Sequence, residues 1–119
     1  MNQQKGQQGE EAAALFLEKA GYTIVDRNVR TGRYETDILA LQGETLVFCE
    51  VKYRRQSGSF DPLAAISLKK KKALISGATL LLERQRQFTS KRCRFDVIFI
   101  LEKAAGQEII HLPGAFSIC

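Results

Sequence analysis

Cysteine and histidine are both scarce in this chain. The three cysteines, Cys49, Cys93 and Cys119, are odd in number and widely spaced, with no CxxC pair. That pattern supports neither a disulfide framework nor a cysteine-based zinc site. Cys49 lies inside an apolar run and reads as a small core residue. His111 is the sole histidine. Set just before Pro113-Gly114, it reads as a packed or surface residue rather than a catalytic base. No apolar run exceeds six residues, so no membrane-spanning helix is expected. The start, Met1-Asn2-Gln3-Gln4-Lys5-Gly6, lacks the apolar stretch of a secretory signal. No internal repeat or low-complexity tract is visible. These absences lead to the expectation of a cytoplasmic protein with no membrane partner.

What is present suits one ordinary α/β domain spanning residues 1–119. The chain has 119 residues, 45% of them hydrophobic and 26% charged, which argues against wholesale disorder. A chain of this size buries roughly two-thirds of its unfolded surface, enough for a core without staples. Residues 1–8, rich in Gln and Gly, are expected to fray. Eighteen Lys and Arg stand against thirteen Asp and Glu, a net charge of +5. Mild basicity suits a polyanionic partner such as nucleic acid.

Hydrophobic spacing predicts a helix over 9–20, with Ala13, Phe16, Leu17 and Ala20 on one face and Gly21 closing it. Glu10 and Glu11 then fall in its first turn. Glu10 precedes Ala13 and Leu17 at helical spacing, so it continues the core-facing stripe. Strands are expected over 22–25, 35–41 and 45–53. Residues 27–32 and 54–60 read as loops. Gln42-Gly43-Glu44 carries a hairpin signal. A long helix follows over 67–85, with Ser67 as N-cap and Leu74, Ala78, Leu81 and Leu82 inward. Lys69 to Lys72 crowd its first turn, the end where cations oppose the helix dipole. Two more strands, 95–101 and 108–112, close the order. A helix between strands implies a crossover, hence a mixed sheet.

The hairpin concentrates charge. Side chains alternate along a strand, so Glu35 shares a face with Asp37, and Glu50 with Lys52. A turn centred on Gly43-Glu44 would set Asp37 opposite Glu50 and Glu35 opposite Lys52. Val47, Cys49 and Val51 on one face, with Leu46 and Phe48 on the other, mark that strand as central. Charge there is costly unless paired or bound to a cation. One reading is two cross-strand pairs, a Glu35–Lys52 salt bridge and a tolerated Asp37–Glu50 repulsion. The other is a divalent cation on both carboxylates, Mg²⁺ or Mn²⁺, with Lys52 serving a metal-activated water or the charge at phosphorus. Arg27 and Arg30, just before the hairpin, are candidate phosphate contacts. Lys69 and Lys70 are candidates on the same ground, since cations at that helix end gain nothing for its stability. Arg94 and Asp96 alternate with Phe95 and Val97 and read as structural.

Asp37 followed thirteen residues on by Glu50-Val51-Lys52 resembles the PD-(D/E)xK nuclease superfamily, the restriction-endonuclease-like fold. The fuller string resembles the YraN-like family of uncharacterised bacterial proteins. It comprises Asn28-Val29-Arg30, Glu35-Thr36-Asp37-Ile38-Leu39-Ala40 and Leu46 to Arg54, with Gly9-Glu10, Lys70, Arg94 to Val97 and His111 around it. That family's relationship to archaeal Holliday-junction resolvases implies a mixed sheet of about five strands flanked by helices. It also implies a metal held by Asp37, Glu50, the Val51 carbonyl and Glu10, with Lys52 as the catalytic lysine. Glu35 is a further candidate ligand, and Arg54 a further nucleic-acid contact. Two positions depart from the family pattern: Tyr34 where Gly is usual, and Thr36 where an apolar residue is usual. Tyr34 puts substrate access in question more than chemistry. The expected function is cleavage of DNA, branched or otherwise structured, with a homodimer as one form. The alternatives are a non-cleaving nucleic-acid-binding module and an interaction subunit of a DNA-processing assembly.

Overall fold

The computed structural model describes residues 3–55 and 59–116. The elements run α1 (Gln3–Lys19), β1 (Thr23–Thr31), β2 (Tyr34–Gln42), β3 (Thr45–Arg55), α2 (Leu68–Arg84), β4 (Arg92–Lys103) and β5 (Gly106–Phe116). Short 3₁₀ turns lie at Pro62–Ala64 and Arg86–Phe88. The strands form one sheet in the order β1-β2-β3-β4-β5. All neighbours are antiparallel except β3 and β4, which α2 connects in parallel. This is the expected α/β fold with a mixed five-stranded sheet, and it is compatible with the restriction-endonuclease-like architecture.

The central strand explains the layering. Val47 and Cys49 point to one face, where they pack with Ala13 and Leu17 of α1. Leu46 and Phe48 point to the other, where they meet Leu74, Ala78 and Leu81 of α2. Phe48 and Phe95 stack with their ring centroids 5.4 Å apart. Burying each of these rings contributes roughly 2–3 kcal/mol.

Several boundaries differ from the sequence reading. The first helix begins at Gln3 rather than Gly9, so Glu10 and Glu11 lie beyond its first turn. Glutamines form helix readily but carry no apolar stripe that would reveal it. The first strand continues through residues 27–31, which read as a loop. As a sheet edge it buries little, and its polar side chains mask it. It returns into β2 through Gly32, whose φ of +62° suits a tight turn. The third strand extends to Arg55, shortening the expected loop; residues 56–58 of that loop lie outside the described residues. The last strand passes through Pro113-Gly114 instead of ending there. The register shifts opposite Asp96, and a bulge on an edge strand tolerates proline.

That bulge serves a buried carboxylate. Asp96 accepts from Arg94 Nε at 2.8 Å and Nη2 at 3.0 Å, Tyr22 Oη at 3.1 Å and the Gly114 N–H at 3.0 Å. His111 Nε2 stands 2.8 Å from the same carboxylate. Burial alone would raise its pKa, but His111, Arg94 and the Gly114 N–H hold it well below the usual carboxylate range. The network ties the link between α1 and β1, through Tyr22, to β4 and β5, which agrees with a structural reading of Arg94, Asp96 and His111.

Candidate functional site

The two-residue turn is as expected: Gln42 pairs with Thr45, and the ladder continues to Ile38↔Cys49. There the paired register ends. The Asp37 carboxylate accepts the Val51 N–H through Oδ2 at 2.8 Å. Asp37 thus occupies the opening between β2 and β3, near enough to Glu50 for the two charges to interact. The Glu50 side chain is 5% exposed, and both Lys52 Nζ and Lys70 Nζ lie 3.3 Å from its Oε2.

Two carboxylates in a partly dry site cannot both ionise freely. The Asp37 pKa is pushed up to about 7, chiefly by burial and then by the Glu50 charge; the Val51 N–H opposes this, and the Glu10 charge adds a smaller push upward. The donors are all oxygen, as a hard divalent cation requires. Among the described residues, no three His, Cys, Asp or Glu side chains gather as a ready metal cluster. One or two carboxylates are nonetheless the usual protein share for Mg²⁺, the rest coming from water and substrate phosphate. The pair therefore fits such an ion. Glu10, half-buried on α1, acts on Asp37 through its charge and does not complete a three-carboxylate group.

A cleft of about 450 Å³ is lined by Lys52 and Lys70, the two lysines on Glu50, together with Arg54, Ser67 and Lys69, while neither Asp37 nor Glu50 lines it. Ser67 caps α2, its Oγ accepting the Lys70 N–H at 3.1 Å. Arg54 of β3 and Lys69 and Lys70 of α2 therefore line one basic cleft, while Arg27 and Arg30 stand elsewhere. Arg27 donates to Glu11 of α1 at 3.0 Å. Arg30 makes an exposed 4.0 Å pair with Glu35. This corrects the Glu35–Lys52 salt bridge. Beyond the point where β2 and β3 part, Glu35 answers the neighbouring β1 strand, and Lys52 turns to Glu50. Tyr34 does not line the cleft. It lies against α2, where a Cβ on Gly77 would come within 2.8 Å of Tyr34 Cβ. Arg33 Nη2 donates to its hydroxyl at 3.3 Å and pulls the phenol below its ordinary pKa.

Two relationships were not read from the sequence: Lys70 on Glu50, and Tyr22 on Asp96. The crowding of lysines at the wrong end of a helix was the available signal for the first. No local pattern signals the second, which joins residues 74 positions apart.

Residues 9–100 match the profile described as "Uncharacterised protein family UPF0102". The chain belongs to this family. A UPF0102 protein of Lawsonia intracellularis is 41% identical over 93% of this chain and 83% of its own. One from Desulforapulum autotrophicum is 42% identical over 96% and 93%. One from Geobacter metallireducens is 37% identical over 98% and 95%. The matched UPF0102 region contains Glu10, Asp37, Glu50, Lys52, Lys70 and Asp96, and ends before His111. No helix among the described residues is long and apolar enough to cross a membrane.

Proposed function

We propose that this UPF0102 protein is a metal-dependent nuclease that hydrolyses phosphodiester bonds in DNA, with branched or structured DNA as the favoured substrate. The observation that carries this reading is the Asp37–Glu50 carboxylate pair, set in the opening of a central hairpin with two ammonium groups on Glu50 that also line a basic cleft. Asp37 and Glu50 would hold Mg²⁺ or Mn²⁺, with the Val51 carbonyl as a further donor and Glu10 outside them. When bound, the ion supplies a nucleophilic water at neutral pH and offsets charge on the phosphate. Lys52 orients that water or offsets charge at phosphorus from its place beside Glu50. Arg54, Lys69 and Lys70 bind the phosphate backbone along the cleft wall. Arg27 and Arg30, each engaged with an acidic neighbour, are secondary contacts for flanking DNA.

A second reading, a nucleic-acid-binding module that does not cleave, draws on the two lysines that already offset the Glu50 charge. One assay separates the two. Labelled duplex, junction and single-stranded DNA are incubated with Mg²⁺, Mn²⁺ or EDTA, beside Asp37→Ala and Lys52→Ala. Cleavage that needs metal and disappears in both variants supports the nuclease. Binding without cleavage, unaltered by Asp37→Ala, supports the module.

A further inference from the structure

Four consecutive lysines open α2, where the helix dipole disfavours cations. Lys71 lies over the Phe116 ring at 5.9 Å, and Lys70 reaches a carboxylate. Lys70 shares the same Glu50 oxygen with Lys52, each at 3.3 Å. The two lysines are differently tethered. Lys52 stands on the strand that carries Glu50. Lys70 reaches across from the facing helix and is the more exposed of the two, 39% against 28%, though both border the basic cleft. Its four-carbon stem can turn from Glu50 into that cleft without moving the backbone.

Charge balance gives this movement a direction. Both ammonium groups stand on one oxygen of Glu50, the partner of Asp37 in the carboxylate pair, and already offset its charge. A divalent cation on the same carboxylates would leave positive charge in excess and would be repelled by both lysines. A phosphodiester in the cleft removes the excess. We propose that Lys70 is an exchangeable counter-ion: it neutralises Glu50 while no cation is held there, and it transfers to a substrate phosphate when one is. This deepens the nuclease reading and rests on it. Because binding linkage is reciprocal, the cation and the DNA phosphate strengthen each other's binding through Lys70.

The test measures Mn²⁺ affinity by electron paramagnetic resonance for the wild type, Lys70→Ala, Lys70→Arg and Lys72→Ala. It also measures binding of a phosphorothioate-linked duplex, which resists hydrolysis, with Mn²⁺ and with EDTA. Without DNA, Lys70→Ala should bind Mn²⁺ roughly tenfold more tightly than the wild type, within the range of ordinary site coupling. Lys70→Arg should resemble the wild type. Lys72→Ala, which removes a charge from the same helix end, should change Mn²⁺ affinity much less. Mn²⁺ should tighten duplex binding in the wild type, and by a smaller factor in Lys70→Ala. Equal or weaker Mn²⁺ binding by Lys70→Ala overturns the exchange while leaving the metal site intact. An equal gain in Lys72→Ala reduces it to general repulsion and overturns it too. Failure of the wild type to bind Mn²⁺ overturns the metal-dependent reading and the exchange together.

Discussion

The Asp37 carboxylate accepts the Val51 N–H at 2.8 Å, just past the last paired residues of the β2–β3 ladder. A side chain thus takes a donor that a longer ladder would have given to a carbonyl. The same opening admits Glu50. One hydrogen bond therefore ends a hairpin and assembles a pair of carboxylates.

The first prediction follows from the strain between those carboxylates. An unfolded Asp titrates near ~3.9, while burial and the Glu50 charge raise Asp37 to about 7 in the fold. A raised folded pKa contributes stability that is fully present below the unfolded value and is lost as pH rises through the folded one. Asp37→Asn should therefore gain thermal stability relative to the wild type as pH rises, most clearly above about 7. The amide oxygen can still accept the Val51 N–H. Mg²⁺ should raise the wild-type Tm at alkaline pH and leave Asp37→Asn unchanged. Thermal scans at several pH values, with and without Mg²⁺, check this; a pH-independent difference between the proteins would count against it.

Asp96 behaves in the opposite sense. Burial opposes its charge, but His111, Arg94 and Gly114 depress its pKa. That contribution is present above the unfolded value and is lost as pH falls through the folded one. Asp96→Asn leaves Arg94 without its buried partner and should cost about 3–5 kcal/mol near neutral pH. The loss should shrink below about pH 4, where the unfolded carboxylate gains its proton. Urea denaturation across pH gives both numbers.

Gly77 and Tyr34 should be coupled. Alanine favours a helix interior over glycine by about 1 kcal/mol. Here the added Cβ would meet Tyr34 Cβ at 2.8 Å, and overpacking costs typically 1–3 kcal/mol. Gly77→Ala alone should lower stability by about 1 kcal/mol. In a Tyr34→Ala background the same change should be neutral or stabilising. A double-mutant cycle without coupling would show that helix and strand shift apart freely.

Arg54 and Lys69 line the cleft but do not contact the Glu50 oxygen that holds Lys52 and Lys70. Replacing either with Ala should weaken DNA binding to a similar degree across sequences. Each change should also reduce the slope of log affinity against log salt by about one. Titrations at several salt concentrations give the slope. A sequence-dependent loss would indicate base contact instead.

Much of the sheet was legible because its cause is local. The continuous apolar run from Leu46 to Cys49, which fills both faces of a strand, identified the central strand. Gly43-Glu44 set the hairpin register, and Ser67 marked the start of α2. The edge strands were less legible. Residues 27–31 alternate in burial, but their inward positions are Arg27, Val29 and Thr31, and 113–116 bury little, so polarity there imitated a loop. The candidate site divides along the same line. Asp37, Glu50 and Lys52 lie on the two strands of one hairpin, and strand periodicity with the register set by the Gly43-Glu44 turn placed the two carboxylates together.

The amino-acid sequence by itself determined the layered α/β fold, the hairpin register and the concentration of charge on its central strand, because each follows from short-range periodicity and turn chemistry. Only the tertiary structure decided where the ladder parts, that Glu35 answers Arg30 rather than Lys52, and that Lys70 reaches Glu50. Those relationships depend on how α2 lies across the sheet and how its strands diverge. The Glu35–Arg30 pair belongs to a local hairpin whose polarity masked it; the Lys70–Glu50 contact joins segments far apart in the chain, where packing sets the distance and no local pattern encodes it.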